Sequence, residues 1–182
     1  EGILAASRGD LVTAHAAADA VGAAARQTGA ETLLALSDLV RGLALLADGS
    51  VEAANELLRP RCTAVGADGP VAVSQALLPL YVDAAVPVGR VDDARRAVDA
   101  YERLARRWRS PTLAASLAYV RPLVADDEHA EAAYLGGLEA DLARWPFLRA
   151  RLLLAYGTWM RRRRRAVESR VPLRAAREAC DA

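Results

Sequence analysis

The sequence predicts an all-α fold, a superhelical array of about nine or ten helices laid down as antiparallel pairs. Three observations predict it. The apolar fraction is 53% but aromatics make up only 5%, so the apolar content is mostly Ala, Leu and Val. Ala and Leu lose little side-chain entropy in a helix, and Val is nowhere strung into strand-like alternation. Glycines recur at a fixed interval: Gly9, Gly49 and Gly89 stand forty residues apart, each after an apolar helical run and before an amphipathic one. Such a period marks stacked repeats, in which each helical hairpin buries its face only against its neighbours.

The register extends further. Asp127 takes the anchor position 38 residues after Gly89, and Arg164 takes it 37 residues later. Five residues after the anchors stand Ala14, Ala54, Ala94, Ala132 and Ser169, small as a close helix crossing requires. Eight residues before the last three anchors stand Tyr81, Tyr119 and Tyr156. The chain holds only five tyrosines, so this column is the sharper test. The repeats run about 1–29, 30–68, 69–109, 110–144 and 145–182, in one helical-repeat domain.

The elements follow in order. The first repeat keeps only residues 2–8 of its A helix, then a B helix near 11–27. The second places helices near 30–47 and 51–66, the third near 71–88 and 91–108. The fourth places them near 111–125 and 128–143, the last near 146–163 and 167–181. Ser110-Pro111 reads as an N-cap followed by proline at the first helical position, and Asp68-Gly69-Pro70 as a similar start. Asp126, Asp127 and Glu128 put negative charge at a helix N-terminus, where the dipole favours it. Asp92–Arg96, Asp99–Arg103 and Glu102–Arg106 are i,i+4 pairs with the acid first. An interior proline removes a backbone hydrogen bond, which predicts kinks or breaks at Pro60 and Pro79. Pro122 and Pro172 fall near enough to helix ends to be tolerated. Gly136-Gly137 either permits close helix contact or weakens the fourth B helix.

Composition excludes several functions. All 24 basic residues are Arg, against 23 acids, for a net charge of +1. A P-loop needs a lysine on its phosphates, so this chain is not a P-loop NTPase. A dedicated DNA-binding domain is more basic, so contact with DNA is expected only through a separate domain. Cys62 and Cys180 stand too far apart for a disulfide framework or zinc site; as free thiols they fit a cytoplasmic protein. His15 and His129 have no partner at metal-ligand spacing, and the acids at 126–128 lack a calcium-loop pattern. No G-x-S-x-G surrounds Ser7, Ser37, Ser74 or Ser169. Gly136-Gly137 follows no strand and makes no dinucleotide loop. No catalytic residue, cofactor or metal is implied. No stretch reaches the roughly 18 apolar residues of a membrane span, and no membrane role is expected.

The arginine run Arg161, Arg162, Arg163, Arg164 and Arg165 follows the aromatic stretch "YGTWM". Cations at a helix C-terminus are stabilised by its dipole and can bond its free carbonyls. A structural helix end is therefore the plain reading. The alternatives are docking of an acidic partner or contact with nucleic-acid phosphates, although no recognition helix is evident. Trp145, Phe147, Tyr156 and Trp159 crowd into the last A helix, as core between repeats or as a ligand-lining surface. Six residues before the anchors stand Leu43, Asp83, Arg121 and Thr158. In helical arrays A helices line the concave face, which would take a protein partner or small-molecule effector. Its candidate residues are Asp83, Arg121, Tyr156, Thr158 and Trp159. Asp83 and Arg121 would meet across adjacent repeats, as a structural ion pair or a ligand clamp.

Residues 144–182, "RWPFLRARLLLAYGTWMRRRRRAVESRVPLRAAREACDA", resemble the last helical hairpin before the DNA-binding domain of large LuxR-type (MalT-like) transcriptional regulators of actinobacteria. "DGSVEAANELL" and "VGRVDDARRAVDAYERLA" resemble ordinary tetratricopeptide-like repeats of the same region. The resemblance covers most of the chain. It implies an N-terminal ATPase and a C-terminal helix-turn-helix that this sequence lacks, making it an excised middle segment; Glu1-Gly2-Ile3-Leu4 reads as the middle of something larger. It also implies a non-catalytic sensor that binds an effector or partner protein and influences oligomerisation, with a homo-oligomer possible.

Overall fold

The computed structural model describes residues 1–64 and 71–181, and among them every regular element is an α-helix. The start read at Asp68-Gly69-Pro70 lies outside the described residues. The chain forms two compact units, Glu1–Trp108 and Arg109–Ala182. The division falls between Trp108 and Arg109.

The N-terminal unit contains α1 (Gly2–Ser7), α2 (Leu11–Thr28), α3 (Glu31–Ala47), α4 (Val51–Thr63), α5 (Val71–Ala85) and α6 (Val91–Arg107). Its hairpins share one turn. Gly9, Gly49 and Gly89 are left-handed, with φ of 78°, 80° and 78°. The following N–H returns to the helix just ended: Asp10 to Ala5 O at 2.9 Å, Ser50 to Leu45 O at 2.8 Å, Arg90 to Ala85 O at 2.9 Å. This closes the helix end by satisfying one of its free carbonyls. A Cβ at any of these glycines would meet nothing within 4 Å. Backbone conformation, not space, therefore selects glycine there.

Small residues then let the helices close up. Ala14, Ala54 and Ala94 are fully buried. A Cβ on Gly42 would come within 3.0 Å of Leu58. The central helix α3 packs on its hairpin partner α4, on α2, and on both α1 and α5; α4 also meets α6. Arg61 of α4 pairs with Asp38 and, at 3.2 Å, with Glu31, both on α3.

Pro60 and Pro79 do not break their helices. α4 continues three residues past Pro60 and α5 six past Pro79. Leu77, Leu78, Leu80, Tyr81 and Val82 are at most 3% exposed. Burying a side chain of this size contributes about 1.5–3 kcal/mol, so three of them outweigh the roughly 3 kcal/mol cost of an interior proline. α5 ends at Ala85, short of the expected 88. Arg96 pairs with Asp93, three residues back, in place of the expected Asp92.

The C-terminal unit contains α7 (Pro111–Val124), α8 (Ala130–Glu139), α9 (Pro146–Arg162) and α10 (Arg170–Asp181). Ser110 caps α7 by accepting the Leu113 N–H at 3.2 Å, with Pro111 at the first helical position. α7 packs on α8 and α9, α8 on α9, and α9 on α10. Pro122 stands two residues from the end of α7. Pro172 stands in the first turn of α10, where the N–H has no helical partner to lose.

The register slips in the fourth repeat and returns in the fifth. Residues 127–129 form a turn, α8 starts at Ala130 rather than 128, and it stops at Glu139 rather than 143. Ala132 is exposed, while Ala130 and Tyr134 are buried in its stead. Gly137 brings α8 against α7: a Cβ there would lie 2.5 Å from the Ala118 carbonyl oxygen. Arg164 then adopts the anchor turn, with φ 61°, the one positive-φ non-glycine among the described residues. Arg165 N–H returns to Met160 O at 3.0 Å, and Ser169 is buried as Ala14, Ala54 and Ala94 are. The tyrosine column is buried throughout: Tyr81 in the first unit, Tyr119 and Tyr156 in the second.

Candidate functional site

The densest side-chain constellation lies in the C-terminal unit, where α8, the end of α9 and the 163–169 connection meet. Tyr156 and Trp159 are one turn apart on α9, on one helical face. Tyr134 of α8 stacks on Tyr156, with ring centroids 5.1 Å apart, and tilts against Trp159 at 5.8 Å. Glu131 stands in the first turn of α8. Its Oε1 accepts both the Tyr156 hydroxyl at 3.1 Å and Arg165 Nη1 at 2.8 Å. Arg165 also grips Glu168, with Nη2 at 2.6 Å and Nε at 3.1 Å from Oε2. Arg163 pairs with Asp127. The guanidiniums of Arg163 and Arg165 lie over the Trp159 ring, 5.6 Å and 5.9 Å from its centroid.

The arginine run is therefore divided. Arg163 and Arg165 tie the connection back to α8 and the aromatic rings. Arg161, Arg162 and Arg164 are exposed. The Glu168 contact, followed by that of Glu131, raises the pKa of Arg165. Burial pushes Tyr134 up to about 12 and raises Tyr119. Burial and then the Glu131 contact raise Tyr156. These groups stay in one protonation state at neutral pH, so the cluster is suited to holding shape and not to proton transfer.

The remaining sequence candidates are dispersed. Tyr156 and Trp159 belong to the cluster, and Thr158 lies half-buried between them in sequence on α9. Asp83 is half-buried on α5 in the N-terminal unit; Arg121 is exposed on α7 in the C-terminal unit. Tyr134, Glu131, Asp127 and Glu168 were not among the candidates. The signal that pointed nearest was the acid-rich opening of the fourth B helix, facing an arginine run one hairpin later in sequence.

Two further groups stand out, half-buried Arg151 and buried Cys62. Arg151 of α9 lies over Tyr119 at 4.7 Å and over Phe147 at 5.5 Å, and burial lowers its pKa to about 10. It still carries its charge at neutral pH, held against ring faces. In the N-terminal unit burial pushes the Cys62 thiol far up, which leaves it unreactive. Among the described residues no group of His, Cys, Asp or Glu could hold a metal ion, and no helix is long and apolar enough to cross a membrane.

Charge differs between the units. Residues 1–108 carry 11 arginines against 14 acids, a formal charge of −3; residues 109–182 carry 13 against nine, a charge of +4. Compared with models of known protein families, with curated proteins and with solved structures, the chain finds no match.

Proposed function

We propose that the chain is a non-catalytic sensor and protein-interaction repeat region of a LuxR-type transcriptional regulator. In this reading it stacks as a tetratricopeptide-like superhelix in the cytoplasm. It binds a partner protein or effector and couples that event to a DNA-binding domain outside this chain. The observation that carries the reading is the forty-residue spacing of one helix-ending turn at Gly9, Gly49 and Gly89, met again at Arg164; the same turn also stands off that period at Gly29. Repeated hairpins present extended surfaces for recognition. The side-chain constellation supports the same reading, because its acids and arginines are spent on each other and leave no nucleophile–base pair. The test is the reading frame that encodes the chain. A P-loop ATPase upstream and a helix-turn-helix downstream are expected; a frame with neither overturns the proposal.

A second reading is contact with nucleic-acid phosphates through the arginine run. The observation favouring it is the exposure of Arg161, Arg162 and Arg164 on a unit of charge +4. Binding of duplex DNA that collapses with salt would support it. Binding that is insensitive to salt, or absent, would remove it.

A further inference from the structure

We propose that the corner joining α9 to α10 is a docking patch for an acidic protein segment bearing apolar side chains. The inference rests on the interaction-module reading and names the partner's chemistry. The connection winds directly into α10: Ser169 N–H bonds Arg165 O at 3.1 Å, Arg170 N–H bonds Val167 O at 3.2 Å, and Leu173 N–H bonds Ser169 O at 3.2 Å. At helical spacing this puts Val167, Arg170, Val171 and Arg174 on one flank. Ser169, Pro172 and Ala176 turn inward and are buried. Val167 is 73% exposed and Val171 74%, the two most exposed large apolar side chains described in this unit.

Exposed arginines flank them along the chain. Arg161, Arg162 and Arg164 end α9 and its turn, and Arg170 and Arg174 open α10; all five are exposed. Of the nearby acids, Glu168 is engaged by Arg165, and exposed Glu178 follows one turn beyond Arg174. The corner thus combines two exposed valines with exposed arginines at helical spacing and along the chain, the composition of a protein interface in which arginine is a favoured anchor. Phosphates would use the rim and leave the valines without a role. A segment with carboxylates around apolar side chains uses both. Arg164 is a second, independent observation. It holds a left-handed conformation that glycine fills at Gly9, Gly49 and Gly89, and residues held in such strained conformations cluster at functional sites.

The test uses the whole chain and a fluorescent helical peptide with leucines at every third and fourth position and glutamates elsewhere. The same peptide with serine for leucine, the same with lysine for glutamate, and a short duplex DNA complete the set. The leucine–glutamate peptide is expected to bind and the other two peptides to bind at least about tenfold more weakly. The double variant Val167→Ser, Val171→Ser should weaken binding about tenfold. Arg164→Gly should weaken binding while raising the melting temperature, an opposition that a purely structural role does not produce. Peptide binding unaffected by the valine double variant and by Arg164→Gly would overturn the patch. DNA binding lost in Arg164→Gly but kept in the valine variant would assign the corner to phosphates instead. Self-association abolished by the valine variant would assign it to a second copy. Each of these failures leaves the reading-frame test untouched, so the two proposals fall separately.

Discussion

Arg164 occupies the same left-handed turn as Gly89: φ is 61° at the arginine and 78° at the glycine. In both turns the next N–H reaches back to the helix, Arg165 to Met160 O at 3.0 Å and Arg90 to Ala85 O at 2.9 Å. An L-residue in this conformation suffers a steric cost of about 1–2 kcal/mol that glycine avoids. Arg164→Gly is therefore expected to stabilise the chain by about 1 kcal/mol, net of glycine's larger unfolded-state entropy. Gly49→Ala should destabilise it by about 1 kcal/mol, because open space around Gly49 gives no compensating contact. Thermal denaturation reads both, at about 2–4 °C each. Shifts of the same sign would show that the two turns are not equivalent.

Glu131 Oε1 is the shared acceptor of Tyr156 and Arg165. Glu131→Gln keeps an acceptor for the tyrosine and removes the charge that holds the arginine. Hydrogen exchange should speed up across 163–169, with the N-terminal unit unchanged. The emission of Trp159, beside two guanidiniums, should shift in the same variant. Unchanged exchange would mean that Glu168 and Asp127 suffice to fix the connection.

These two relationships differ in how they could be read from sequence. The anchor turns were legible because their cause is local: a left-handed residue after an apolar run, followed by a small residue five positions on. The same register placed Arg164 at an anchor without a glycine. It failed in the fourth repeat, where Asp127 stands in an ordinary turn and no left-handed residue fixes the phase. At Pro60 and Pro79 the helices run on without a break; the local penalty is visible in sequence and the burial opposing it is not. The division of the arginine run was hidden for the same reason. Arg165 finds Glu131 34 residues away, a pairing that only the packing of α8 on α9 creates.

Gly136 and Gly137 are neighbours with opposite surroundings. A Cβ at Gly137 would lie 2.5 Å from the Ala118 carbonyl oxygen, while one at Gly136 meets nothing within 4 Å. Backbone cannot yield as a side chain can, so Gly137→Ala should destabilise by about 1–3 kcal/mol. Gly136→Ala should stabilise by up to about 1 kcal/mol, the helix-propensity difference. Denaturant midpoints at unchanged slope would measure both. Equal effects would contradict the close approach of α7 and α8.

At high pH the tyrosines decide stability. Burial raises Tyr81, Tyr119, Tyr134 and Tyr156 above the ordinary value of 10, with Tyr134 at about 12. A group whose pKa is raised on folding binds its proton more tightly in the native state. Its contribution is complete below pH 10 and is lost as pH climbs through the folded value. Arg151 acts in the opposite sense, since burial lowers it to about 10, and the native state then sheds a proton that the unfolded chain keeps. Four raised tyrosines and the raised Cys62 thiol, which acts in the same sense, against one lowered arginine give a net loss of stability between about pH 10 and 12. Phenolate absorbance should therefore rise late, in step with loss of helical circular dichroism. A titration in which most tyrosines ionise near pH 10 while the helices remain intact would contradict their burial.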